Sequence, residues 1–212
     1  GAIEIIVREN NNAKTPVENV TVSVKGDNST ETQNLKTDAD GKTGLSDQPV
    51  DKYTVILDTT TLPSKYKLTG DTDASQKKDV NANGTTTYIF EVEYKTGNLE
   101  VVVKDATTGE IIPNADVTLV HKDTNTETQV NTGSTGTVTK ENVPVGEYEV
   151  KVDTVPTGYE KPQTIPGVTA EEGKTITAEV KLPKKESTNP EPEKGAIEII
   201  VRENNNAKTP VE

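Results

Sequence analysis

One histidine, no cysteine and a scatter of aspartates are all that this chain of 212 residues offers for chemistry. With His121 alone, no two-histidine metal site can form, and any Ser-His-Asp arrangement would have to be built on that residue. His121 follows a strand-like stretch whose inward positions are Ala115, Val117 and Leu119, so it is expected to close that face or cap the strand end. The lack of cysteine removes disulfides and thiol nucleophiles, and does not by itself assign a cellular compartment. Asp38 and Asp40 before Gly41 form the one pattern with a cation reading, since alternating carboxylates in a loop suit calcium. A complete site needs about six or more oxygens and a distal bidentate acid. Thr43 to Leu45 do not continue the pattern, and the plainer expectation is a hairpin turn with solvated acids. Asp71 and Asp73 are weaker still. GxSxG, HExxH and P-loop patterns are absent from the sequence. No residue is therefore assigned a catalytic, cofactor-binding or metal role, and the chain is read as a non-enzyme without a cofactor.

The elements that would position these residues are strands. Ile3, Ile5 and Val7 alternate with Glu4, Ile6 and Arg8, and Val20, Val22 and Val24 alternate with Thr21, Ser23 and Lys25. This is the two-residue period of a strand with one face on a core. Tyr53 to Asp58 forms a further strand, and Tyr88, Phe90, Val92 and Tyr94 share one face of a closing strand. Asp71 to Gly84 reads as a polar interruption, and the Asp38 to Lys42 segment as a tight turn using Gly41. Later strands fall near residues 98–105, 114–121, 147–153 and 174–182. Threonine runs at 59–61, 85–87 and 107–108 lack a fixed interval, and are read as solvated strand and loop residues, not as a flat binding face.

The chain repeats itself at two levels. Residues 1–18 return letter for letter as 195–212, which is expected of one full unit of a tandem array plus the opening strand of the next. Within the unit, Ala2 to Glu9 is echoed by Asn98 to Asp105, Asn19 to Lys25 by Asn114 to Val120, and Asp51 to Asp58 by Gly146 to Asp153. The offset stays at about 95 residues, a common size for one domain. The reading is all-β, with two β-sandwich domains in tandem at 1–96 and 97–184. A Pro-rich, charged linker at 185–194 and the first strand of a further repeat at 195–212 follow them. The short connection through Thr96 and Gly97 should hold the domains end to end, whereas 185–194 should be an extended spacer.

A net charge of -12, with 30% apolar and 3% aromatic residues, calls for a solvated acidic surface and leaves little aromatic area for a large pocket. Nucleic acid is not an expected partner, because phosphate binding needs a basic face. No apolar run reaches the length of a membrane span, so this segment is not expected to contact a membrane.

Three stretches then carry a resemblance. The run from Leu99 to Val117 includes Lys104-Asp105-Ala106-Thr107-Thr108-Gly109, Val143-Pro144-Val145-Gly146-Glu147-Tyr148-Glu149-Val150 follows, and Val155-Pro156-Thr157-Gly158-Tyr159 closes the set. Together they resemble the Cna-B and SpaA-type repeats of Gram-positive surface adhesins and pilins, small Ig-like sandwiches of the prealbumin kind. The first half matches more loosely, through Asp38 to Lys42 and Tyr53. Many members of that family join a first-strand lysine to a last-strand asparagine or aspartate by an isopeptide bond, assisted by a buried glutamate. Aligned on the motifs, those places hold Val103, Val152 and Val180 in the second half, and Val7, Leu57 and Val92 in the first. A buried lysine and glutamate are costly unless they react or pair, whereas aliphatic residues simply pack, so neither half is expected to form the bond. Lys104 and Asn98 are expected on the solvent face or at a strand end.

The resemblance implies a secreted, cell wall-anchored protein on an extracellular surface. Its role would be a stalk of repeats that sets the distance of a distal binding domain, with neighbouring repeats of the same chain as partners. The competing expectation is a repeated binding module for a host matrix protein or glycan, gaining avidity from the array. An accessory domain of a large secreted carbohydrate-active enzyme is a third. The segment 195–212, lacking the rest of its sandwich, is expected to pair with another molecule or fill the first-strand slot of another copy.

Overall fold

The alternation that marks the strands in the sequence becomes burial in a computed structural model, which describes residues 1–163, 165–186 and 199. The first half holds β1 (Ala2–Glu9), β2 (Thr21–Gly26), β3 (Gln33–Lys36), β4 (Lys42–Leu45), β5 (Asp51–Leu57), β6 (Tyr66–Leu68), β7 (Ser75–Val80) and β8 (Thr85–Tyr94). The second holds β9 (Thr96–Asp105), β10 (Asp116–His121), β11 (Glu127–Asn131), β12 (Thr137–Pro144), β13 (Gly146–Thr154), β14 (Val168–Ala170) and β15 (Thr175–Leu182). The only helical element among the described residues is a 3-10 turn at Thr59–Thr61, and no helix is long and apolar enough to cross a membrane.

Each half is two sheets facing each other. In the first, the order β4-β1-β8-β6 faces β3-β2-β5-β7; in the second, β12-β9-β15 faces β11-β10-β13-β14. The opening and closing strands of each half lie side by side and parallel, with Ile5 opposite Tyr88 and Val7 opposite Phe90, and with Val101 opposite Ala178 and Val103 opposite Val180. All other strand pairs are antiparallel.

Two separate cores result. Ile5, Val7, Val20, Val22, Val24, Val55, Tyr88 and Phe90 fill the first, and Leu99, Val101, Val103, Val117, Leu119, Val150 and Val180 the second. Fully burying a side chain of this size is worth about 1.5–3 kcal/mol, which is why strict alternation in so few strands suffices to define a sandwich. A polar device recurs in both halves. Asn19 and Asn114 take positive φ (62° and 60°) just before β2 and β10. The buried Thr37 hydroxyl then accepts from Val20 N–H, and that of Thr132 from Ala115 N–H, each at 3.0 Å.

The expected strands are present, with β10 starting at Asp116 and not at residue 114. One reading is corrected: Asp71 to Gly84 contains β7, paired antiparallel to β5 from Ser75 to Val80. Its sequence, Ser-Gln-Lys-Lys-Asp-Val, hides it because only Val80 is buried. Residues 195–212 lie outside the described residues except Ile199, which is exposed.

Candidate functional site

The places where the resembling family carries its cross-link are packed apolar positions. Val103 and Val180 face each other across the β9–β15 ladder with no exposure, and Val152 on β13 is buried in the same core. In the first half the register changes one assignment: the residue opposite Val7 is Phe90, while Val92 stands opposite Glu9. Phe90 is therefore the counterpart of Val180, and it too is fully buried. Lys104 is on the solvent side, 2.7 Å from Glu179, and Asn98 sits at the start of β9 within 3.3 Å of Thr175.

Chemically distinctive groups occur instead one step further along the first strands. Asp105, at the end of β9, has a fully buried side chain. Its carboxylate accepts from the N–H groups of Thr108 and Thr107 at 2.9 and 2.8 Å, from the Tyr159 hydroxyl at 3.2 Å and from Lys184 Nζ at 3.2 Å. The two backbone donors, Thr108 first, together with Lys184 and Tyr159, hold it well below the usual carboxylate range. Glu9 occupies the same place in the first half, buried, accepting from the Tyr66 hydroxyl and from Asn11 Nδ2. Burial, and then the Glu9 contact, push the Tyr66 phenol far up. So the two halves share a carboxylate–tyrosine latch that ties the segment following β5, and that following β13, to the end of the first strand. The Gly158-Tyr159 turn marks it in one half; nothing in the sequence flags Lys65-Tyr66 as its counterpart.

The second feature is the joint. Only Lys95 separates β8 from β9. Val145 N–H donates to Lys95 O at 2.9 Å and Gly173 N–H to Thr96 O at 3.0 Å, so the connecting backbone is bound to loops of the second half. Aromatic rings bridge the halves edge to face: Tyr66 to Tyr94 at 5.0 Å, Tyr94 to His121 at 5.4 Å, and His121 to Tyr148 at 4.9 Å. Lys65 Nζ lies 5.1 and 5.2 Å from the centroids of Tyr66 and Tyr94, and 3.0 Å from Asp123 of the second half. Lys95 pairs with Glu172 at 3.0 Å.

His121, expected to close a strand face, does so at this joint, 1% exposed. Val145 O, 3.1 Å from Nε2, can only accept, so Nε2 carries the proton; Nδ1 then accepts from Thr124 N–H at 3.3 Å. Gly146, at φ +136°, leaves room for the ring, since a Cβ there would lie 2.7 Å from Nε2. The imidazole is thus used for shape and hydrogen bonding, with no serine or carboxylate arranged on it. Tyr148, raised to about 12 by burial, donates its hydroxyl proton to Pro144 O at 2.8 Å. Tyr53 repeats that contact with Pro49 O at 3.4 Å.

Asp38, the candidate cation ligand, accepts from the N–H groups of Asp40 and Lys42, both at 2.9 Å, and so closes its own turn around Gly41 at φ +66°. Among the described residues no three acidic or histidine side chains converge on one point.

Comparisons agree with this architecture. Residues 98–183 match the model of the carboxypeptidase regulatory-like domain, a span that runs from β9 to the end of β15. Curated proteins give no match. Among solved structures the chain is similar to the Bacillus anthracis TIE protein, at 24% identity and a TM-score of 0.65, covering 87% of this chain and 34% of that one. The chain thus spans about a third of that protein's length. It is also similar to GBS52, a minor pilin of Streptococcus agalactiae, at 17% identity and a TM-score of 0.42, covering 92% of this chain and 99% of that one. A streptococcal ancillary pilin aligns at 15% identity and a TM-score of 0.43, covering 87% and 62%. The likeness to the Bacillus anthracis protein shows the fold, and it accords with the resemblance to Cna-B and SpaA-type repeats.

Proposed function

We propose that this chain is a structural repeat of a Gram-positive cell-surface adhesin or pilus, a non-enzymatic spacer that projects a distal binding domain from the cell wall. In this reading 1–96 and 97–184 are its two domains, 185–194 is a linker and 195–212 opens the next repeat. The observation that carries the proposal is the joint. A one-residue connection, clamped on both sides by backbone hydrogen bonds, ion pairs and a file of aromatic rings, sets one sandwich against the next. Such a contact serves a length-setting element. Small-angle scattering on one, two and three copies of residues 1–194 tests it: the maximum dimension should grow nearly linearly with copy number. Growth much slower than linear would mean that the units fold back, and would remove the spacer reading.

The repeat also works without an internal isopeptide bond in this proposal, since Val7, Phe90, Val103 and Val180 leave no amine to attack and no carboxamide to be attacked. Intact mass should equal the sequence mass, with no loss of ammonia or water. The competing reading, a ligand-binding repeat, draws on Ile56, 46% exposed in a shallow groove with Ser23, Lys25 and Thr54. Saturable binding of a matrix protein that Ile56→Ser abolishes would favour it.

A further inference from the structure

The two sandwiches treat the outer edge of their last strand in opposite ways. In the first, every outward carbonyl of β8 between Thr87 and Glu91 has a donor. Lys78 Nζ reaches Thr87 O and Gln76 Nε2 reaches Ile89 O, both at 2.7 Å, and Thr69 N–H reaches Glu91 O at 3.0 Å. The rest of that edge is covered by β6, with Leu68 opposite Val92 and Tyr66 opposite Tyr94. The strand is sealed, as edges in soluble proteins usually are.

In the second sandwich the counterparts of all three donors are groups that cannot donate. Tyr148 on β13 pairs with Val168 as Tyr53 on β5 pairs with Lys78, so Val168 replaces Lys78. Continuing that register by two residues puts Pro166 where Gln76 stands. Tyr159 bridges Lys184 as Tyr66 pairs with Tyr94, and three residues on, Pro162 replaces Thr69 and has no N–H. Among the described residues the counterpart of β6 is cut to the single Tyr159–Lys184 bridge, and β15 is the edge of its three-stranded sheet. Lys174 O and Leu182 O are turned toward β9, where they accept from Asn98 and Ala106. By alternation, the backbone groups of Thr175, Thr177, Glu179 and Lys181 point outward. Among the described residues none of them has a partner. Partly buried Ile165, Val168 and Ile176 lie along this margin of the core.

We propose that the free edge of β15 is a pairing site for the same edge of a second copy of this chain, joined antiparallel about a two-fold axis at Ala178. The free stretch, Thr175 to Lys181, is symmetric about that residue, as an isologous contact requires. Centred there, Thr177 exchanges hydrogen bonds with Glu179 of the other copy and Thr175 with Lys181, and no like charges meet. Moving the axis one residue later, to Glu179, would oppose Glu179 to itself on one rung, and moving it two residues later, to Val180, would bring Thr177 against Pro183, whose carbonyl already accepts from Glu160 N–H at 2.9 Å. The product is one continuous six-stranded sheet, β12-β9-β15 and its two-fold mate. With a charge of -12 on each copy, the contact is weak at low salt and strengthens as salt screens the repulsion. Repetition along an array multiplies it.

The test is sedimentation equilibrium with amide hydrogen exchange on the 212-residue chain up to about 1 mM, the range in which a contact of this small size is populated. Mass should rise toward the dimer with concentration, and the Thr177, Glu179 and Lys181 amides should gain protection in step. Thr177→Pro removes an outward donor and spares the β9 ladder. The double variant Pro166→Gln, Val168→Lys installs the seals of the first sandwich. Each should weaken association about tenfold or more, the loss of roughly one to two hydrogen bonds, with the thermal midpoint serving as the fold control. A monomer throughout overturns the proposal. So does a dimer unaffected by both variants, which pairs elsewhere, or edge amides protected at every concentration, which a segment of the same chain covers.

Discussion

Asp105 shows how one side chain can close a loop and a strand together. Four donors converge on a carboxylate with no solvent access, and two of them are backbone N–H groups that have no other partner among the described residues. Asp105→Ala should lower the thermal midpoint of the second sandwich and leave the first unchanged, which two-transition calorimetry would resolve. Because the folded-state pKa lies below that of the unfolded chain, the carboxylate stabilises fully above the ordinary carboxylate range and loses that effect as pH falls below about 4. The second transition should accordingly fall more steeply in acid than it does in Asp105→Asn. Motif spacing in the sequence locates Tyr159, and burial alternation locates Val103, but neither brings Asp105, Tyr159 and Lys184 to one point. That convergence depends on how a loop packs, which no local period encodes. The same limit moved the counterpart of Val180 from Val92 to Phe90: strand existence is periodic, whereas register between distant strands is set by tertiary packing.

Among the elements, the long central strands are legible and the short edges are not. β1, β2, β5, β8, β9, β13 and β15 bury alternate residues over most of their length, and β10 buries Val117 to His121 in a row, so their apolar content exposes them. β3, β4, β7 and β11 bury almost nothing, and are held by a neighbour's ladder and not by their own composition. The joint belongs to this scale as well. Its sequence promised only brevity; the contacts come from four tyrosine and histidine rings contributed by β6, β8, β10 and β13. Tyr94→Ala removes two edge-to-face pairs, each worth about 0.5–1.5 kcal/mol, and should cost about 1–3 kcal/mol in all. Residual dipolar couplings of the two sandwiches, described by one alignment tensor in the parent, should need two in the variant. A single tensor in both would mean that Lys95 and its hydrogen bonds hold the joint without the rings.

For the whole molecule, two cores in one chain suit the proposed spacer, whose length would depend on copy number, the property the scattering series measures. The parallel neighbours that open and close each sandwich have a further consequence, which is how the repeat bears load. The chain enters at the start of β1 and leaves at the end of β8, opposite ends of one ladder of eight paired residues. Tension along the chain therefore slides these strands past each other and loads the whole ladder at once; β9 and β15 repeat the geometry. Tension applied at one end of the same ladder would open it rung by rung. With no cysteine of its own, the chain accepts thiol handles cleanly. Single-molecule stretching between Ala2→Cys and Glu93→Cys should need a rupture force several times that between Asn10→Cys and Glu93→Cys. Equal forces would show that the ladder is not the element that resists. In the proposed spacer, strand order would carry this load with no covalent bond between the first and last strands.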